Sequence, residues 1–184
     1  MVSRKLLVST VAALVAAPTL VSADSDLGIG AAGTQASASL DFRIVIPQFV
    51  YFRVGSAGAT IDRVDFDLLT AAVQPGAGGV VPANGGTGDG ADGDLFVELI
   101  TNVTNVTIAA TGGNLSSGAN TIPFTQINAF DGNVIPVPAF GGSAALAVGL
   151  PGTLNDTWSY DYNNDTSYAP GTYNGTVVYT VTAP

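Results

Sequence analysis

The chain has 184 residues, with 14 Asp and Glu against 5 Lys and Arg, a formal net charge of −9, and neither cysteine nor histidine. The two missing residue types exclude disulfide bracing, Ser-His-Asp and Cys-His catalysis, and zinc sites built on their usual nitrogen and sulfur ligands. The acidity favours solubility, suits a saline habitat, and makes nucleic acid and anionic lipid poor partners.

The N-terminus reads as a secretory signal over residues 1–23. Arg4 and Lys5 precede an apolar run from Leu6 to Val21, and Val21-Ser22-Ala23 fits the small-x-small cleavage rule, with the cut before Asp24. The run is about 16 residues, short of the roughly 20 that cross a bilayer, so removal is expected rather than anchoring. There is no cysteine to acylate, no later segment is apolar enough to span, and the Ala-rich signal has a bacterial look. Cleavage leaves Arg43, Arg53 and Arg63 as the only basic side chains and no lysine. Glu98 is the only glutamate, and Gly, Thr, Val, Ala and Asn dominate. Long amphipathic helices need charged faces that this chain lacks, so the composition predicts an all-β fold.

Residues 24–35 are small and Gly-rich, with Leu27, Ile29 and Ala31 alternating with glycines. They read as a flexible N-terminal extension or a short strand used elsewhere. The domain proper is expected over 36–184. Ala36 to Val54 carries the longest β pattern, with Leu40, Phe42, Ile44 and Ile46 on one face and Asp41 and Arg43 on the other. Pro47 predicts a bulge or a switch between sheets within it. Thr60 to Leu69 alternates, with Val64, Phe66 and Leu68 inward and Arg63, Asp65 and Asp67 outward. Thr70 to Gly93 reads as a long loop with a short strand near Val80-Val81. Strands follow at Asp94 to Ile100, with Leu95, Val97 and Leu99 on one face, and at Val103 to Ala110. Gly112 to Ala119 is a turn region. Thr121 to Ile127 and Val134 to Phe140 are expected short strands with prolines suited to edges, and Ser143 to Leu150 favours strand over helix.

Thr157 to Tyr162 and Thr172 to Thr182 close the chain as two alternating runs around Pro170-Gly171, the pattern of a β-hairpin. Short strands with a turn signal every ten or so residues predict an antiparallel sandwich.

Four features bear on chemistry. With His, Cys and mature Lys absent, the catalytic option that remains is a carboxylate pair, but the acids mostly alternate with core positions as solvated residues do, so no enzyme is expected. Asp89, Asp92 and Asp94 cluster in a glycine loop, where they suit either Ca²⁺ or simple turn geometry; the closing Glu of an EF-hand is missing, and turn geometry is favoured. Asn-x-Ser/Thr triplets begin at Asn102, Asn105, Asn114, Asn155, Asn164 and Asn174, which abundance of these residue types explains. Trp158, Tyr160 and Tyr162 form an aromatic strip that suits sugar stacking or, preferably, packing against Tyr173 and Tyr179 on the partner strand. No catalytic, cofactor-binding or metal residue is therefore assigned, and no cofactor is expected.

Pro170-Gly171-Thr172-Tyr173 resembles the tyrosine corner of immunoglobulin-like sandwiches. The export signal, the absence of helix patterns, the segment Leu115 to Gln126 and the terminal strand, in which Gly171 stands fourteen residues from the end, together resemble bacterial chaperone–usher fimbrial subunits. Tyr173, Val177, Tyr179 and Val181 follow Gly171 in alternation. Ala183 stands where that family often has a tyrosine, and its common disulfide is absent. The resemblance implies an Ig-like sandwich open to completion by a donated strand, with Leu27, Ile29 and Ala31 as donor residues, self-association, and a periplasmic chaperone as partner. The resulting expectation is a non-enzymatic structural subunit of a bacterial surface filament, exported to the periplasm and cell surface without membrane insertion. The alternative is a monomeric secreted binding module for glycan or cell-surface polymer.

Overall fold

The strictest alternation in the chain lies at the centre of the structure. Leu95, Val97 and Leu99 are buried on one face of a strand, while Phe96 and Glu98 point the other way, as the period-two geometry of a pleated strand requires. The computed structural model describes residues 26–149 and 151–184, and the chain divides into two units, Met1–Ile46 and Pro47–Pro184. The expected signal at 1–23 lies outside the described residues, as do Asp24 and Ser25 of the expected extension.

The second unit is all-β, with twelve strands among its described residues: β1 (Val50–Val54), β2 (Arg63–Asp65), β3 (Val80–Pro82), β4 (Gly85–Thr87), β5 (Asp94–Thr101), β6 (Asn105–Gly112), β7 (Leu115–Ser117), β8 (Asn120–Ile122), β9 (Ile127–Asp131), β10 (Ser143–Ala147), β11 (Gly152–Asn163) and β12 (Val177–Thr182). Two 3-10 turns, Gly88–Asp92 and Phe124–Gln126, interrupt them. The pairings between these strands are antiparallel.

The larger sheet is built on β11. One edge of β11 pairs first with β5 (Trp158 opposite Leu95) and then with β3 (Tyr162 opposite Val81), and its other edge pairs with β9 (Trp158 opposite Asp131). β1 adds to the far side of β5, with Phe52 opposite Leu99. A three-stranded sheet has the order β10-β6-β12, with Ala144 and Val181 flanking Ile108. The two sheets share one core: Val97, Leu99 and Trp158 from the first meet Val106 and Ile108 from the second, with Ile135 and Val148 between them. A second cluster, Val81, Ile122, Ile127 and Tyr162, is covered by Phe66, Leu68 and Phe124.

Several expectations are corrected. Of the strand expected over Ala36 to Val54, only Val50–Val54 pairs. The bulge or sheet switch expected at Pro47 is absent; instead Pro47 and Phe49 are bonded by Asn102. The strand over Thr60 to Leu69 shrinks to β2 because the Asp67 carboxylate accepts from the Leu69 and Thr70 N–H and from Thr70 Oγ1, which turns the chain. Phe66 and Leu68 still face the second core cluster. Val134 to Phe140 forms no strand. Asp156 Oδ2 accepts from the N–H of Val134 and Ile135 and takes those donors from any ladder, while Pro136 and Pro138 supply none. The turn into this segment needs Gly132, at φ +63°, where a Cβ would stand 2.8 Å from the Ile135 carbonyl oxygen.

The expected terminal hairpin is also absent. β11 and β12 belong to different sheets, so Trp158 and Tyr179 meet across the core, with ring centroids 5.0 Å apart, rather than side by side in one sheet.

Candidate functional site

Leu40, Phe42, Ile44 and Ile46 alternate along seven residues that make no strand pairing among the described residues, and each is at least 77% exposed. Asp41, Arg43 and the equally exposed Val45 occupy the intervening positions. A chain buries such side chains when it can, and each one buried is worth about 1.5–3 kcal/mol. From Leu40 to Ile44 the run has one apolar and one charged face, the pattern of a half-buried strand, and among the described residues no sheet accompanies it.

The residues before this run are different. The Thr34 N–H and Oγ1 both bond to the Ala31 carbonyl, at 3.2 and 2.7 Å, and Gly33 has φ +101°. This closed turn ends the Leu27–Ala31 stretch, and none of the described residues 26–35 lies in a strand.

The second unit has one closed side and one open side. On the closed side the connection Gly132–Gly142 passes from β9, in one sheet, to β10, in the other. It places Ile135 in the core and is tied to β6 by the bonds from Ala110 N–H to Gly142 O and from Gly141 N–H to Ala110 O, each 3.0 Å. On the other side β1 ends the first sheet and β12 ends the second. Among the described residues no strand pairs with the outer edge of β12. The inward side chains here, Val50, Phe52 and Val54 on β1 and Tyr179 and Val181 on β12, are only half-buried although they pack on the core. Backbone N–H and C=O groups along a free edge form a template for another strand.

The start of β1 and the end of β12 lie at one pole. Val50 is opposite Thr101, three residues join Thr101 to the start of β6, and Thr182 is opposite Thr107. There Asn102 Oδ1 accepts from the Phe49 N–H, and Asn102 Nδ2 donates to the Pro47 carbonyl, both at 2.9 Å. Thr101 Oγ1 donates to the Phe49 carbonyl, also at 2.9 Å.

The other sequence candidates are placed elsewhere. Asp89 bonds with Ser56 Oγ, and Asp94 Oδ1 accepts from Ser159 Oγ at 2.6 Å. Among the described residues no group of three or more carboxylates converges as a metal site would. Asp62 accepts from the backbone of Ser56 and Asp89, and the Ser56 N–H is the main reason its carboxyl lies below the usual range.

Trp158 is fully buried, and its indole N–H bonds to the Ile135 carbonyl; Tyr162 is buried beside Val81. The strip Trp158, Tyr160, Tyr162 therefore faces the core and offers no sugar-stacking surface. Tyr160 and Tyr179 share a hydroxyl–hydroxyl bond of 2.9 Å; burial pushes both phenols up, and for Tyr160 the neighbouring Tyr179 adds to this.

Tyr173 Oη donates to the Ala169 carbonyl at 2.8 Å, spanning Pro170-Gly171, as a tyrosine corner would. Of the triplet asparagines, Asn164 is fully buried, donating to Gln74 O and accepting from the Gly76 N–H. What sequence reasoning missed is that residues 38–46 leave their apolar face uncovered; the signal was the alternation itself, read as an ordinary core strand. Compared with known proteins, the chain matches no family model, no curated protein and no solved structure.

Proposed function

We propose that this protein is a non-enzymatic structural subunit of a bacterial surface filament. In this reading it is an Ig-like β-sandwich of the fimbrial type, assembled by β-strand addition between copies. One observation carries the reading: among the described residues Leu40, Phe42, Ile44 and Ile46 form an exposed alternating segment without a partner, and the outer edge of β12 is also unpaired. Strand addition satisfies both at once, since the edge supplies backbone bonds and the half-buried core residues supply the apolar surface. The donor is assigned to Leu40–Ile46 in place of 24–35, because Gly28 and Gly30 leave the earlier stretch with little side chain to bury and the turn at Ala31–Thr34 cuts it short.

Export and a surface location belong to the same proposal, on the strength of residues 1–23. The glycan-module alternative loses the support of its aromatic strip with the burial of Trp158. The test is deletion of residues 38–46 from the exported chain. Light scattering and negative-stain imaging should show filaments or oligomers for the intact chain and a folded monomer for the deletion. An intact chain that stays monomeric at high concentration, or a deletion that still polymerises, would reject the reading.

A further inference from the structure

If the segment 38–46 adds to a β12 edge, that edge is its own or that of another copy. We propose that the Asn102 side chain selects the second copy, by holding the root of the segment in line with β1. The inference rests on the strand-addition reading and concerns what directs it.

Phe49 N–H, Phe49 O and Pro47 O are all bonded from the β5 side, by Asn102 and Thr101. Backbone groups two residues apart that face one neighbour mark an extended strand. Residues 47–49 thus prolong β1 beyond the Val50–Thr101 pair. Pro47 has no N–H to leave unsatisfied, so this prolongation costs the ladder nothing at that position.

Pairing with the chain's own β12 demands the opposite geometry. β12 runs toward the pole at which β1 begins. A segment lying along it would have to reverse between Ile46 and Val50. A tight reversal takes four residues whose backbone leaves the extended conformation, often with the first carbonyl turned toward the fourth N–H. The three residues available are Pro47, Gln48 and Phe49, and two of them have their backbone groups committed to Asn102 and Thr101. Another copy's edge requires no reversal. Asn102 therefore acts as a positioning residue: its side chain bonds to Phe49 and Pro47, and through them it decides which edge is within reach.

The experiment compares the intact exported chain with Asn102→Ala and Asn102→Asp, all in full-length form. The readouts are mass by light scattering, and hydrogen exchange of residues 38–46 in the monomer fraction. Asn102→Ala should raise the monomer fraction about tenfold, since two bonds to the root are lost, and residues 38–46 of that monomer should be protected from exchange because they now cover their own β12. Asn102→Asp keeps an acceptor for the Phe49 N–H but has no donor for Pro47 O, so it should fall between the two. A folded Asn102→Ala that associates like the wild type overturns the inference, as does a monomer with 38–46 unprotected. Should Asn102→Ala fail to fold, the Asp variant decides on the same readouts, and no shift in it overturns the inference. A wild type that never associates rejects the strand-addition reading itself, which is a different result from an Asn102 variant without effect.

Discussion

The indole N–H of Trp158 donates to the carbonyl of Ile135 at 2.7 Å, and both residues are completely buried. The bond ties the centre of β11 to the irregular connection that closes one side of the core. It also answers a requirement, because a buried indole N–H without an acceptor costs about 1–3 kcal/mol.

Trp158→Ala removes this bond, opens a cavity and strips Tyr179 and Phe52 of their aromatic neighbour. A loss of about 3–5 kcal/mol is expected by chemical denaturation. Trp158→Phe, which keeps part of the packing but leaves Ile135 O without its donor, should lose less. Equal losses in the two variants would show that the packing contributes little.

Asp156 gives a pH dependence with a defined sign. Burial raises its carboxyl, but the N–H groups of Ile135, Val134 and Thr157 outweigh that and hold it below the usual value. A carboxylate whose folded pKa is depressed stabilises the fold above its unfolded value, near pH 3.9, and that stability is lost as pH falls through the folded value. The melting temperature should therefore drop as the solution is acidified below about pH 4. Asp62 and Asp67, held low by Ser56 and Thr70, act in the same direction. Asp156→Ala should lower stability at neutral pH and shrink its change between pH 5 and 2; an unchanged acid profile would remove Asp156 from this account.

At alkaline pH the tyrosines work the other way. Burial raises Tyr160 and Tyr179, so the folded chain resists their ionisation. Their contribution is intact below the unfolded value, near pH 10, and is lost above it as the unfolded chain ionises. Absorbance at the phenolate band should show Tyr160 and Tyr179 ionising only with unfolding. Simple titration of all tyrosines near pH 10, with the fold intact, would contradict the burial.

Phe42→Ser combined with Ile44→Ser should abolish self-association while leaving the melting temperature of the second unit within about 2 °C, because neither side chain is buried. Sedimentation across a concentration series reads the first and calorimetry the second. Retained oligomers would place the contact elsewhere. A large fall in melting temperature would show that these residues already support the domain.

Tyr173→Phe deletes the bond to Ala169 and nothing else of comparable strength. A loss of about 0.5–1.5 kcal/mol is expected. A cost much above this range would mean that the corner also orders Ser116–Asn174, the bridge that links it to β7.

Where the alternation of a segment is answered by a neighbour of fixed register, the sequence was enough. Leu95, Val97 and Leu99 were legible because both sides of β5 are paired, with β1 and β11. Residues 38–46 show the same pattern, but alternation reports a face and says nothing of whether a sheet is present to cover it. Trp158 and Tyr179 were legible as packing partners and not as members of separate sheets, because a period of two does not distinguish a lateral neighbour from one across the core. Val134 to Phe140 was misread for a further reason: Asp156 lies more than twenty residues away and takes the backbone donors of that segment. The Asn102 contacts were equally hidden, since nothing local marks an asparagine that bonds to residues more than fifty positions earlier.

The shared pole of Val50 and Thr182 has a mechanical consequence. A pull applied at Pro47 against the end of β12 runs along neither strand in shear. It peels β1 from β5 one rung at a time, beginning at Val50–Thr101 and ending at Val54–Val97. Loaded in this way, one rung bears the force at a time, so the joint should yield at lower force than the same strands pulled in shear. The Asn102 and Thr101 bonds to Phe49 and Pro47 lie ahead of the first rung, so they set the force at which peeling starts.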